Sequence, residues 1–130
     1  MLYLLNRKTK TCSYSGESTI NYNGNYTIKI QCHRMGNIVV ARIAYTGTMP
    51  SSVIDVSNAA SPVLTIPEGY RPINTAYMSY ACAAGTSVYG NEAGRWSINS
   101  QGAISHGGSN EDLRERSVAM CYITDDPFSG

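Results

Sequence analysis

The sequence is poor in charge. Lys, Arg, Asp and Glu make up 15% of its 130 residues, and the formal net charge at pH 7 is +1. Globular domains typically carry roughly a quarter of charged residues, and proteins that bind nucleic acid or an anionic membrane surface usually have a strong basic excess. The composition therefore gives no support for nucleic acid as a partner and favours contacts with neutral partners.

Long apolar runs are also missing. No segment approaches the roughly 20 apolar residues that a membrane-spanning helix needs. The apolar start Met1–Leu5 is short, and the basic residues Arg7, Lys8 and Lys10 follow it. A signal peptide has its positive charge first and a longer apolar region. We therefore expect a soluble protein with no membrane insertion and no export signal.

The cysteines are too dispersed for a metal site. Cys12, Cys32, Cys82 and Cys121 are far apart, and no Cys-x-x-Cys or paired-His spacing occurs, so we expect neither a zinc ion nor any other cofactor. Three of the four lie within or at the end of apolar, strand-like runs, where a free cysteine behaves as a small hydrophobic residue. We expect reduced thiols, although two disulfides are arithmetically possible.

Residues that could carry catalysis are few. Only two histidines are present, and the sequence contains no Gly-x-Ser-x-Gly elbow and no phosphate-binding loop. The carboxylate pairs Glu111–Asp112 and Asp125–Asp126 are adjacent in sequence, so on a strand their side chains would point to opposite faces. A glycosidase needs two carboxylates that converge about 5–10 Å apart. We interpret both pairs as solvated surface residues and predict no enzymatic activity.

The sequence is rich in tyrosine, and apolar and polar residues alternate along several of its segments. It contains ten tyrosines against one Phe and one Trp, and tyrosine is common in strands and at interfaces. Apolar and polar side chains alternate along 26–32 and along 38–45, with Gly36 and Asn37 as a tight turn between them. The pattern predicts a hairpin whose buried residues are Tyr26, Ile28, Ile30, Cys32, Val39, Ala41, Ile43 and Tyr45.

Further strand-like segments are separated by residues that break strands. The predicted strands are 53–56, 63–66, 75–82, 95–99, 103–106 and 117–124. The turn Asn-Ser-Gln-Gly joins 95–99 to 103–106 as a second hairpin, and only 110–116 could form a helical turn. Seven or eight short strands separated by turns predict an all-β fold, an antiparallel β-sandwich of the jelly-roll kind.

The segment Val63–Pro72 reads Val-Leu-Thr-Ile-Pro-Glu-Gly-Tyr-Arg-Pro. Pro67 ends the hydrogen-bond ladder of a strand because it has no N–H to donate. Glu68 and Gly69 turn the chain, and Pro72 keeps Arg71 extended. We interpret the segment as a rigid corner between two sheets.

This corner resembles the one in C-terminal domains of tail-fibre and baseplate proteins from phages and prophages of Gram-positive bacteria. The resemblance rests on Ile66–Pro72 itself, on the hairpin turn in Arg34–Val40 before it, and on Gly94–Ile104 and Val118–Ile123 after it. In Gly94–Ile104, a strand, an Asn-x-x-Gly turn and a return strand follow one another as they do in that family. The order and spacing of the four motifs carry the resemblance, which covers 26–124.

The resemblance implies a β-sandwich head domain that forms a homotrimer at the tip of a phage tail and binds a saccharide of the host cell wall. The protein would be part of the virion, in contact with other tail or baseplate proteins, after assembly in the host cytoplasm. The head domain would span 26–124, with 1–25 as an N-terminal arm or linker containing a possible first strand and 125–130 as a C-terminal tail. A composition rich in Tyr and small apolar residues but poor in charge also suits subunit contacts.

A saccharide presents hydroxyl groups and an apolar ring face, so its binding site needs polar side chains beside an exposed aromatic ring. The Gly-rich loop 85–94 offers such groups, and the second hairpin would bring two more residues near it. We predict these ligand-binding residues: Tyr89, Asn91, Glu92, Arg95 and His106. An ordinary surface loop is the alternative. Trp96 alternates with Ile98, which favours a place in the core or in a trimer interface over sugar stacking.

Two other functions stay open at this point. The chain can be a structural trimerisation or connector module of the same tail, with no ligand of its own. It can also be a tail-borne polysaccharide hydrolase or esterase built from Glu68, Glu92 and an aspartate, although no residue spacing favours this. A binding assay separates the first alternative from a receptor-binding domain.

Overall fold

The computed structural model of this chain describes residues 10–21, 25–46, 54–83, 91–108 and 116–128. Almost all of the regular structure in these ranges is antiparallel β-strand, which confirms the predicted all-β class. The strands are β1 (Thr11–Asn21), β2 (Asn25–Met35), β3 (Ile38–Thr46), β4 (Ile54–Asp55), β5 (Ala60–Ser61), β6 (Ala76–Ala83), β7 (Asn91–Ile98), β8 (Ile104–Gly108) and β9 (Arg116–Ile123). A short helix, α1 (Val56–Ala59), lies between β4 and β5.

The strands form two sheets. The five-stranded sheet has the order β5-β1-β2-β3-β9, and the four-stranded sheet has the order β4-β8-β7-β6. Both predicted hairpins are confirmed: β2 pairs with β3 through the turn at Gly36, and β7 pairs with β8 through the turn before Gly102. The φ angles of these two glycines are 58° and 86°, in the left-handed region that favours glycine.

The core contains side chains from both sheets. All eight residues that the alternation of the first hairpin predicted to be buried are buried. From the other sheet, Trp96, Ile98 and Ile104 are completely inaccessible. The rings of Tyr45 on β3 and Trp96 on β7 approach to 5.3 Å between centroids, so the two sheets meet through aromatic contact.

The structure differs from the predictions in two short segments. Residues 63–66 form no strand, because the N–H of Ile66 donates to the carbonyl of Gly102 at 2.9 Å and not to a ladder partner. A Cβ on Gly102 would clash with the carbonyl oxygen of Ile66, so this contact requires glycine. Within the described part of the predicted strand 53–56, Ile54–Asp55 form β4 and Val56 begins α1, because the Asp55 carboxylate caps the helix by accepting from the N–H of Asn58 at 3.3 Å.

Of the predicted arm 1–25, the structure describes 10–21 and residue 25. β1 runs through 11 of them and pairs along its whole length with β2. The expected possible first strand therefore lies inside the five-stranded sheet. The predicted helical turn at 110–116 falls mostly outside the described residues, and its last residue begins β9.

The corner at 66–72 is held by the C-terminal segment. The Asp126 carboxylate accepts hydrogen bonds from the backbone N–H of Gly69 (2.9 Å) and Arg71 (3.1 Å) and from Nε of Arg71 (3.1 Å). Burial alone would raise the pKa of the Asp126 carboxyl, but these hydrogen bonds outweigh it and lower that pKa below its ordinary value. The Tyr122 hydroxyl donates to the carbonyl of Tyr70 at 2.6 Å.

Arg34 completes this arrangement from β2. Its side chain is only 3% exposed, and its guanidinium donates to the carbonyls of Gly36 (2.8 Å), Gly69 (2.7 Å) and Pro127 (3.3 Å). The ring of Phe128 lies 3.9 Å from the guanidinium carbon, a cation–π distance. We call Arg34, Asp126 and the corner residues that they bind, Gly69 and Arg71, the corner clamp.

We expect Asp126→Asn to lower the free energy of unfolding by about 1–3 kcal/mol, because an amide accepts fewer and weaker hydrogen bonds than the carboxylate. Urea unfolding at pH 7 measures the change. Asp125 is the matched control, since it is adjacent and exposed, and Asp125→Asn should leave stability within about 0.5 kcal/mol of the wild type. Equal effects of the two substitutions would contradict the stabilising role of the corner clamp.

Candidate functional site

The structure describes only part of the predicted ligand-binding set. Tyr89 lies outside the described residues. Asn91 and Glu92 begin β7, where they pair with Ala83 and Cys82 of β6, but their side chains lie outside what the structure describes. Two of the predicted residues, Arg95 and His106, are therefore described with their side chains.

Arg95 and His106 occupy neighbouring strands but opposite faces. Arg95 on β7 is exposed, whereas His106 on β8 is completely buried. The ring of His106 lies against Trp96, its register partner, with centroids 4.5 Å apart. Burial lowers the pKa of His106 to about 4, so the ring is neutral at pH 7. Its burial leaves it no surface to offer a saccharide, so the prediction that His106 is a flanking donor of the binding site is wrong.

Trp96 lies in the core, as its alternation with Ile98 favoured, and is not exposed to ligand. Among the side chains of this sheet that the structure describes, Tyr77 on β6 has an exposed aromatic ring, and the residue is 59% exposed. The guanidinium carbon of Arg95 lies 4.8 Å from the centroid of that ring. This is a cation–π geometry between two exposed side chains, and it keeps the planar guanidinium beside the tyrosine.

A row of polar residues continues from Tyr77 across the four-stranded sheet. Tyr77 pairs with Ser97, Ser97 with Ser105, and Ser105 with Asp55. Their neighbours along the strands, such as Trp96 and His106, are buried, so the row lies on the outer face. We call this surface the Tyr77 face; its residues are Tyr77, Arg95, Ser97, Ser105 and Asp55.

The Tyr77 face combines the groups that bind polyols. The phenol ring offers an apolar surface with a hydroxyl at its edge, the guanidinium offers N–H donors, and the serine hydroxyls both donate and accept. The Asp55 carboxylate is already engaged with Asn58, whose side-chain amide donates to it at 2.6 Å.

The sequence analysis did not predict Tyr77 as a binding residue. An alternating pattern does not distinguish an exposed tyrosine from a buried one, and the neighbour of Tyr77 in the strand, Met78, is only half-buried.

The outer face of the five-stranded sheet has two different ends. At one end, five exposed hydrophobic side chains are contiguous: Ile38 pairs with both Met35 and Ile123, Val40 lies two positions along β3, and the N–H of Ile73 donates to the carbonyl of Ile123. They are 41–60% exposed, and we call them the apolar patch. At the other end lies a polar depression of about 420 Å³.

The ranges that the structure describes offer no candidate metal site and no membrane-spanning helix. Within them, no group of three or more His, Cys, Asp or Glu side chains is placed to hold a metal ion. None of the described helical residues belongs to a helix of the length and hydropathy that a membrane crossing requires. The thiols of Cys12, Cys32 and Cys121 are free, and burial raises the pKa of Cys32 to about 12.

Comparison with known proteins gives no relative: neither a protein-family model nor a curated protein sequence matches this chain.

We expect the buried His106 to make the protein less stable in weak acid. Its pKa falls from 6.5 to about 4 on folding, so the unfolded chain binds more protons between these values. Its contribution to stability is thus complete above pH 6.5 and decreases as the pH falls toward 4. Lowering the pH from 7 to 5 should cost about 2 kcal/mol from this residue, measurable by urea unfolding.

The second histidine provides the control. His33 is exposed on β2, so His33→Gln should keep the wild-type dependence of stability on pH. His106→Gln should remove most of that dependence between pH 5 and 7, whatever its effect on stability at pH 7. A wild-type-like pH dependence in His106→Gln would refute the assignment.

Proposed function

We propose that this chain is a receptor-binding domain of a phage tail-fibre or baseplate protein and binds host cell-surface carbohydrate through the Tyr77 face. The observation that carries the proposal is the exposed Tyr77 ring with Arg95 beside it and a row of hydroxyl groups next to it. The domain acts by binding and not by catalysis. The carboxylate of Asp126, a candidate for a hydrolase, serves instead in the corner clamp.

We also propose that the fold is an antiparallel β-sandwich of the jelly-roll kind. Two antiparallel sheets that contribute to one buried core support this, because a sandwich buries its core between two sheets. The corner that carries the resemblance to tail proteins is bound through its backbone by three side chains, those of Arg34, Asp126 and Tyr122, which supports the interpretation of a rigid corner. Tyr89, Asn91 and Glu92 remain part of the proposed site; Asn91 and Glu92 belong to β7, the strand that also carries Arg95.

Cell-wall binding tests the proposal. Tyr77→Ala should weaken binding to purified Gram-positive cell walls or to an array of their glycans by about tenfold to a hundredfold, because it removes the stacking ring and leaves Arg95 without its contact. Tyr77→Phe keeps the ring and should retain most of the affinity. Both variants should keep the wild-type melting temperature, since Tyr77 is exposed.

Tyr70→Ala is the opposite control. Tyr70 is buried in the corner, so this substitution should lower the melting temperature without removing the Tyr77 face. If Tyr77→Ala and Arg95→Ala bind cell walls as well as the wild type does, carbohydrate recognition lies elsewhere or the domain is structural.

A structural trimerisation module is the second candidate, and the apolar patch favours it. Five contiguous hydrophobic side chains that are 41–60% exposed are unusual on a monomer and typical of subunit contacts. The patch adjoins a groove of about 580 Å³, lined by Thr11, Cys12, Ser13, His33, Arg34, Met35, Ile38 and Val40. We propose that the protein is a homotrimer and that this surface lies between subunits. Trimerisation itself is compatible with carbohydrate binding, since the apolar patch and the Tyr77 face lie on different parts of the molecule; the second candidate differs in having no ligand of its own.

The expected mass of the trimer is about three times 14.1 kDa, measured by light scattering. Ile38→Glu should shift the protein toward monomer, because it places a charge in the centre of the apolar patch. Val63→Glu is the matched control: Val63 is more exposed than Ile38, at 66%, but lies outside the patch. A strict wild-type monomer at micromolar concentration would contradict the trimer, and equal effects of both substitutions would contradict the assigned surface.

A further inference from the structure

The polar depression on the five-stranded sheet is built from small side chains between long ones. Ala44 on β3 pairs with Lys29 on one side and with Ser117 on the other. Arg42 lies two positions before Ala44 on the same face. The full lining is Glu17, Thr27, Lys29, Arg42, Ala44, Tyr45, Thr46 and Ser117.

The charges around this depression are unequal. Nζ of Lys29 lies 4.0 Å from a carboxylate oxygen of Glu17, and both side chains are more than half exposed, so their attraction is weak. Arg42 is exposed, and its guanidinium has no carboxylate within 4.0 Å in the part of the chain that the structure describes. The depression is therefore lined by two cationic side chains, Lys29 and Arg42, and by one carboxylate, that of Glu17.

We propose that this depression binds an oxyanion, a phosphate or carboxylate group, with Arg42 and Lys29 as its principal contacts. A guanidinium binds such a group with two parallel N–H donors, and an ammonium adds a third donor. Lys29 and Arg42 are diagonal neighbours on adjacent strands, roughly 7 Å apart, so one oxyanion between them reaches both. The hydroxyls of Thr27, Thr46 and Ser117 are available to the remaining oxygens.

This oxyanion site goes beyond the proposed carbohydrate site. It lies on the other sheet and uses neither Tyr77 nor Arg95. The same chemistry is found in free phosphate, in a phosphodiester polymer and in an acidic polysaccharide, so the experiment must separate these sources.

Calorimetric titration at low ionic strength tests the site with inorganic phosphate, poly(glycerol phosphate), polygalacturonate and neutral dextran. We expect the wild type to bind at least one anionic probe, to lose affinity as salt is added, and not to bind dextran. Binding of phosphate alone assigns a site for a free anion, and binding of a polymer assigns a polyanion site. Arg42→Gln should weaken the binding by about tenfold or more.

Two further variants make the result specific. Lys10→Gln removes the same charge from an exposed side chain beside the Gly36 turn, away from the depression, and should leave anion affinity unchanged. Glu17→Gln removes the competing carboxylate and should strengthen binding. The proposal is overturned if no anionic probe binds, or if Arg42→Gln and Lys10→Gln weaken binding equally. Since cell-wall binding through Tyr77 is measured with different variants, failure of one proposal is distinguishable from failure of the other.

Discussion

A buried guanidinium is a severe constraint, because an unpaired charge inside a protein costs several kcal/mol. The guanidinium of Arg34 donates to carbonyl groups from three separate parts of the chain: the turn at Gly36, the corner at Gly69 and the C-terminal segment at Pro127. These three segments must come together for the charge to be solvated. The hydrogen bonds of Arg34 thus link the turn between β2 and β3 and the segment after β9 to the corner.

The positions of the functional surfaces follow from this constraint. The corner leads directly into β6, so fixing Gly69 and Arg71 also fixes where the strand that carries Tyr77 begins. The same segment also binds the turn of the second hairpin, because the N–H of Ile66 donates to the carbonyl of Gly102. The corner is therefore joined both to the start of β6 and to the turn between β7 and β8, the strands that carry Tyr77, Arg95, Ser97 and Ser105.

Alternation of apolar and polar residues was sufficient to predict β2, β3 and their buried residues, because one face of each strand is almost entirely apolar. It did not reveal β1, whose buried face includes Gly16 and Ser18. Nor did it reveal Arg34: the period of β2 places it inward, after Cys32, but its charge suggests an outward position. The exposure of Tyr77 and the burial of His106 depend on which face of the four-stranded sheet the other sheet covers. The pattern along a single strand does not contain this information.

The two sheets turn chemically different outer surfaces away from a shared core. In the proposed assembly, subunits would meet through the apolar patch of one sheet, while the Tyr77 faces of the other would remain outside as three identical copies on a rigid frame. Linked sites raise each other's effective concentration, so that avidity can exceed single-site affinity by roughly a hundredfold to ten-thousandfold. A shallow site with one aromatic ring would then hold a bacterial surface firmly while each individual contact stays weak and readily reversible.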